Sequence, residues 1–113
     1  MAPILEKDIQ REICDWLWNE TGLFFWRQNN TPVHGRIGQG GEVRFRKLPK
    51  YALAGVPDIF IIKNGKFIGL EVKTPKRKLS PAQEHFGDKM AQNGAFYRCV
   101  HSLAEAKAAL DIF

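Results

Sequence analysis

Asp58-Ile59-Phe60-Ile61-Ile62-Lys63-Asn64-Gly65-Lys66-Phe67-Ile68-Gly69-Leu70-Glu71-Val72-Lys73 is the stretch whose reading decides the fold. It holds two apolar runs separated by Asn-Gly. That dipeptide is the strongest short-range hairpin signal, because a two-residue hairpin turn needs positive φ at both central positions. With Asn64 and Gly65 at the tip, Lys63 faces Lys66, and facing residues have numbers that sum to 129. Asp58 and Glu71 satisfy the same sum. They are therefore expected as direct cross-strand partners, with Cβ atoms roughly 5 Å apart. Lys73, two residues beyond Glu71, projects from the same face. Ile59, Ile61, Ile68, Leu70 and Val72 point to the other face and are the expected core.

Outward from the hairpin, residues 4–19 carry Leu5, Ile9, Ile13, Trp16 and Leu17 at three- and four-residue steps, which predicts a helix stopping near Gly22. The aromatic run 23–28 reads as a strand. Residues 29–42 form a turn-rich loop whose four glycines do not match a nucleotide-binding fingerprint. Residues 43–48 alternate apolar and basic, as in a strand with a cationic face. After the hairpin, Ser80-Pro81-Ala82-Gln83 opens a helix with Ser as N-cap, Pro at N1 and Gln at N3, a capping box. That helix should end at Asn93-Gly94. A strand over 95–100 and a short Ala-rich helix capped by Ser102 complete an order α-β-(β)-β-β-α-β-α. The fold class is α/β (α+β) with a mixed β-sheet flanked by helices, in one domain spanning residues 1–113.

The chain has 113 residues, 44% apolar and 26% charged, which excludes a disordered protein. No run is long and apolar enough to span a membrane, and the N-terminus lacks a basic-then-apolar leader. The sequence accordingly reads as intracellular and cytoplasmic, with a nucleoid or a viral replication site as open alternatives. Three scattered histidines and two distant cysteines make no zinc pattern, and Cys14 and Cys99 read as reduced core thiols. The net charge of +5 is uneven: residues 1–26 carry −3, residues 27–78 carry +9 and residues 79–113 carry −1. A basic middle points to a polyanion such as nucleic acid, against the alternative of a merely solvated surface. Arg27, Arg44, Arg46, Lys47, Lys50, Lys76, Arg77 and Lys78 are the pool for phosphate contacts. Trp16 and Trp26 are expected in the core, and Trp18 exposed.

Two carboxylates held as close as Asp58 and Glu71 repel. A divalent cation bridging them relieves this, with help from Lys73, and hard oxygen ligands favour Mg2+ or Mn2+ over zinc. The alternative is that Asp58 caps the strand start while Glu71 and Lys73 are surface charges. Glu6 is the candidate third acid, since at helical spacing it shares a face with Ile9, Gln10, Ile13 and Leu17; the helix dipole alone would also favour an acid there.

Gly55-Val56-Pro57-Asp58, a strand, then Glu71-Val72-Lys73 resembles the motif of the PD-(D/E)XK nucleases, whose core is restriction-endonuclease-like. The ordered set from Glu6-Lys-Asp-Ile-Gln10 through Trp26-Arg-Gln-Asn29, the two motif halves and Ser80-Pro-Ala-Gln83 resembles more narrowly the VRR-Nuc (virus-type replication-repair nuclease) branch. It covers residue 6 to about 100; the stretch 30–50 carries no landmark of that family. The resemblance implies metal-dependent phosphodiester hydrolysis. Asp58, Glu71, the Val72 carbonyl and Glu6 would hold one or two Mg2+, and Lys73 would orient or activate the attacking water. A lysine with its ordinary pKa of about 10.4 is a poor base, so cations nearby would have to depress it. Gln83 would stand near the reacting water or phosphate.

The resemblance further implies a structure-selective DNA endonuclease acting on branched DNA such as four-way (Holliday) junctions in DNA repair, since small stand-alone members of the family resemble junction resolvases in fold and size. A flap, nick or single-strand nuclease of the same chemistry and a non-catalytic DNA-binding module are the alternatives. A junction needs two cuts and the chain has one candidate site, so a homodimer is expected. Its interface would use stretch 30–42, ribbon 43–48, or the last helix with Ile112 and Phe113.

Overall fold

A computed structural model describes residues 3–28 and 50–113. The stretch 29–42, the ribbon 43–48, and the candidate contacts Arg44, Arg46 and Lys47 lie outside the described residues. Helix α1 spans Glu6–Trp16, two residues later than its apolar pattern begins. It continues into a wider π-helical turn, Leu17–Thr21, and stops at Gly22 with φ +67°. Strand β1 spans Phe24–Arg27, β2 Ile59–Lys63 and β3 Lys66–Val72. Helix α2 spans Pro81–Gln92, β4 Phe96–Val100 and α3 Leu103–Asp111. Among the described residues no helix is long and apolar enough to cross a membrane.

The four strands form one sheet in the order β1-β2-β3-β4, antiparallel from β1 to β3 and parallel between β3 and β4. The hairpin has the expected register, with Lys63 opposite Lys66 and Ile59 opposite Leu70. Asn64 and Gly65 take φ values of 51° and 75°, as the two-residue turn demands. Lys63 Nζ donates to the Leu110 carbonyl at 2.8 Å and Asn64 Nδ2 to the Phe113 carbonyl at 2.9 Å, so the hairpin tip is tied to the end of α3.

Ile59, Ile61, Ile68, Leu70 and Val72 are all fully buried. They meet Ile9, Ile13 and Leu17 from α1 and Ala106 and Leu110 from α3. Each buried aliphatic side chain contributes about 2 kcal/mol, so this face fixes which residues of β2 and β3 must point the other way. On that second face α2 packs over Gly69 and Tyr97. A Cβ on Gly69 would stand 2.6 Å from Pro57 Cγ and 3.3 Å from Met90 Cε, and one on Gly87 would stand 2.9 Å from the Tyr97 ring.

Beyond α2 the second face carries an aromatic row, with ring centroids 5.8 Å apart for Phe24–Trp26, 5.3 Å for Trp26–Phe60 and 4.9 Å for Phe60–Phe67. Trp26 belongs to this outward row and is 36% exposed, so its expected place in the core is corrected. Its register partner is Phe60, not Ile59 or Ile61, and the pleat of β2 fixes the face of β1. Trp16 packs against the core and Trp18 is exposed, as expected. Both cysteines are free thiols. Cys14 packs against the core, but Cys99 is the register partner of Glu71 and lies on the site's face, not in the core. The Phe113 ring packs on Phe96 at 4.6 Å and is partly buried, while Ile112 is exposed.

Candidate active site

The acidic pair is built by the ends of β2 and β3. Asp58 directly precedes β2, and its backbone carbonyl accepts from Gln28 N at 2.7 Å, which extends the β1–β2 ladder by one residue. Its Oδ2 accepts from the backbone N–H of Val72 at 2.8 Å. The Asp58 carboxylate is thereby bonded to the strand that carries Glu71. Upstream, Gly55 has φ +84°, and a Cβ there would collide with the Ala82 carbonyl and stand 2.8 Å from Gln83 N. The loop that delivers Asp58 therefore lies directly on the first turn of α2, and only glycine fits the contact.

Glu71 and Lys73 are 3% and 7% exposed, which excludes the reading of both as surface charges. Lys73 Nζ stands 4.0 Å from Glu71 Oε2. Burial is the largest influence on Glu71, followed by the charge of Asp58 and a hydrogen bond with it, and then Glu6; against the opposing pull of Lys73 these push its pKa up to about 9. Glu71 is thus a carboxyl that holds a proton at neutral pH unless a cation compensates its charge. Glu6 from α1 feels the same cluster. Its Oε1 is buried without a hydrogen bond, and the Arg77 guanidinium approaches it at 3.7 Å. Glu6 thus turns toward the sheet, as its helical position predicts.

Gln83 closes the capping box: Ser80 N donates to Gln83 Oε1 at 2.8 Å and Gln83 N donates to Ser80 Oγ at 3.2 Å. Its side chain is therefore engaged with the helix cap and not with the acidic pair. Val72 buries its side chain in the core and spends its N–H on Asp58. Lys76, Arg77 and Lys78 are exposed in the turn that follows β3, beside Glu6. Arg27 is exposed and donates to Gln10 at 3.1 Å, and Lys50 is exposed over the Tyr51 ring.

Two residues near the site carry no signal in the sequence. Tyr97 packs against Phe86 and Gly87, and burial together with Glu71 and Asp58 pushes its phenol pKa up; its buried hydroxyl has no hydrogen-bond partner among the described residues. His101 closes β4 and bonds both to α3 and to the turn after β3. Only the folded register brings them to Glu71 and Arg77.

A hard divalent cation fits this donor set. The pair supplies oxygen ligands, and the buried Glu71 is a group whose charge needs a counterion, whereas Glu6 already has the Arg77 guanidinium beside it. Among the described residues no three His, Cys, Asp or Glu side chains are gathered closely enough to hold an ion by themselves.

A mixed four-stranded sheet with an acid at the start of one hairpin strand and Glu-x-Lys at the end of the next defines a nuclease-like α+β fold. Solved structures identify its type as the VRR-Nuc fold. The chain is similar to a VRR_NUC domain protein with a TM-score of 0.65 and 14% identity, over 100% of this chain and 90% of that one. It is similar to a second VRR_NUC domain with a TM-score of 0.62 and 17% identity, over 97% of this chain and 99% of that one. No family model and no curated protein matches the sequence.

Proposed function

We propose that the protein is a member of the VRR-Nuc family and a Mg2+- or Mn2+-dependent DNA endonuclease. Its target is branched DNA such as four-way junctions, which it cleaves as a homodimer. The observation that carries this reading is Glu71: nearly fully buried, between Asp58 and Lys73, and costly as an anion until a cation arrives. A sheet that needed only stability would not keep it there.

Asp58 and Glu71 would hold the cation with the Val72 carbonyl; Glu6, not gathered with the pair in this structure, would join them only by closing in on the site. Once bound, it supplies a lowered pKa for water and a counter-charge for the scissile phosphate. Asp58 stays fixed by the Val72 N–H, so its carboxylate needs no reordering. Lys73, on the face of Glu71, is the cation beside the reacting phosphate. There it orients the attacking water and offsets the charge that grows on the phosphoryl oxygens. The water oxygen bonds to phosphorus as one phosphorus–oxygen ester bond breaks, leaving a hydroxyl and a phosphomonoester. Lys76, Arg77 and Lys78 contact the backbone of the same strand, and Arg27 and Lys50, with Arg44, Arg46 and Lys47, extend that grip. Gln83 serves the helix cap and, with substrate bound, the phosphate.

The test is a gel series with end-labelled duplex, flap, splayed-arm and four-way substrates in Mg2+, Mn2+ or EDTA, with the oligomer measured by light scattering. Paired symmetric cuts in a junction by a dimer support the reading. Cleavage confined to flaps or single strands by a monomer would replace the substrate while keeping the chemistry. No metal-dependent cleavage of any substrate would overturn it.

A further inference from the structure

His101 stands between two hydrogen-bond acceptors. Its Nδ1 is 3.0 Å from Glu105 Oε1 and its Nε2 is 3.1 Å from the backbone carbonyl of Arg77, twenty-four residues away. A neutral imidazole has one N–H and one lone pair, so it satisfies one of these acceptors and turns a lone pair on the other. Only the imidazolium donates to both. A further polar neighbour among the described residues is the Cys99 thiol, 3.9 Å from Nε2. The N-terminus of α3, which starts one residue after the Ser102 cap, opposes a positive charge here, and Glu105 in its first turn offsets that.

The acceptor on the far side is not incidental. Arg77 N donates to the Thr74 carbonyl at 2.9 Å, its carbonyl meets His101, and its guanidinium reaches Glu6. Thr74 to Lys78 is the turn that leaves β3 immediately after Lys73. Lys76 and Lys78 flank the residue whose carbonyl His101 holds. We propose that His101 is a positioning residue that, as imidazolium, ties the basic turn 74–78 to β4 and α3 and so presents Lys76, Arg77 and Lys78 to the nucleic-acid backbone beside the acidic pair. Loss of its proton leaves one N–H, which the charged Glu105 carboxylate, the stronger acceptor, holds at Nδ1; a lone pair then faces the Arg77 carbonyl, the turn is freed and that grip weakens. The consequence for DNA rests on the nuclease reading; the tether itself does not.

The bond to Glu105, the Arg77 carbonyl and the Glu105 charge raise the pKa of His101, while burial opposes them. The tether is therefore complete below that raised value and lost as pH rises through it.

The experiment uses the full chain in EDTA, so that DNA is bound but not cut. NMR titration of the labelled protein should give His101 a midpoint above about 6.5, the ordinary value. The midpoint should fall in Glu105→Gln. The Lys78 amide, which shares a peptide unit with the Arg77 carbonyl, should shift with the same midpoint. Affinity for a fluorescent duplex should drop on the order of tenfold in the parent across that midpoint. In His101→Gln it should stay flat across the same range, and in Glu105→Gln its fall should move to lower pH with the histidine. Parallel affinity profiles in parent and His101→Gln, or a Lys78 amide indifferent to the His101 titration, would overturn the proposal. Should His101→Gln not fold, Glu105→Gln decides by whether the two midpoints move together. Absence of DNA binding at every pH would overturn the nuclease reading instead, with the tether still scored by the Lys78 amide.

Discussion

The backbone N–H of Val72 donates to Asp58 Oδ2 at 2.8 Å. One hydrogen bond thus joins the two halves of the acidic motif, which are fourteen residues apart in sequence. It also separates two properties of Asp58 that a substitution can address singly: its shape as an acceptor and its charge. Asp58→Asn keeps an oxygen for the Val72 N–H, whereas Asp58→Ala leaves that donor without its partner, at a cost of about 1–3 kcal/mol. Both should abolish cleavage. In EDTA above about pH 9, where Glu71 is ionised, Asp58→Asn should melt at or above the parent temperature, because a carboxylate beside Glu71 is gone, while Asp58→Ala should lack the acceptor for Val72 and melt below Asp58→Asn. Cleavage and melting curves measured on the two variants check this, and full cleavage by either would displace Asp58 from the site.

Glu71 makes metal-free stability depend on pH. Its folded-state pKa is about 9 against 4.5 for the free group. Between those values the folded protein binds a proton that the unfolded chain releases, so stability falls as pH rises through this window. His101 adds a smaller decline of the same sign, since its pKa is also raised. Melting temperature in EDTA should therefore drop from pH 5 to pH 9, by about 4–8 °C for each kcal/mol lost. Glu71→Gln should remove most of that slope. Mg2+ should raise the melting temperature of the parent most at high pH, where the carboxylate is charged, and should leave Glu71→Gln unmoved.

The hairpin was legible in the sequence because its signals are local: Asn64-Gly65 sets the turn, the turn sets the register, and the register puts Asp58 near Glu71. The caps at Ser80 and Ser102 were legible for the same reason, since each bond spans three residues. Trp26 was misread because the face of β1 is decided by its partner strand, not by its own run of aromatics. Tyr97 and His101 could not be read at all. The distant partner of His101, the Arg77 carbonyl, is reached only when β4 lies parallel to β3. Glu6 falls between these cases: its helix face was visible, but its approach to Arg77 was not.

Gln83 has a structural duty that can be measured apart from any catalytic one. Ser80→Ala and Gln83→Ala each remove one half of the same capping box, and each should cost about 1 kcal/mol. If Gln83 also meets the substrate, the two variants should lose similar stability but differ in rate. Gln83→Ala should then cleave far more slowly than Ser80→Ala at a temperature where both are folded. Equal rates would leave Gln83 as a cap alone.

Gly55 links that cap to the acidic pair, and its substitution should therefore affect both. Its φ of +84° is costly for any other residue, and an added Cβ would collide with the Ala82 carbonyl in the first turn of α2. Gly22 provides the control: its φ is +67°, but nothing lies within 4 Å of a Cβ added there. Gly22→Ala should cost about 1 kcal/mol from backbone strain alone and leave cleavage unchanged. Gly55→Ala carries the same strain and must also displace either the loop that delivers Asp58 or the helix start that holds Gln83. It should cost roughly 3 kcal/mol, toward the upper range for single substitutions. It should also lower the cleavage rate at temperatures well below its own melting point, since moving the loop by even a few tenths of an ångström disturbs the Asp58–Val72 bond. Melting curves and rates on the two alanine variants decide the matter: a Gly55→Ala protein as active as Gly22→Ala would mean that the loop and α2 are not mechanically coupled.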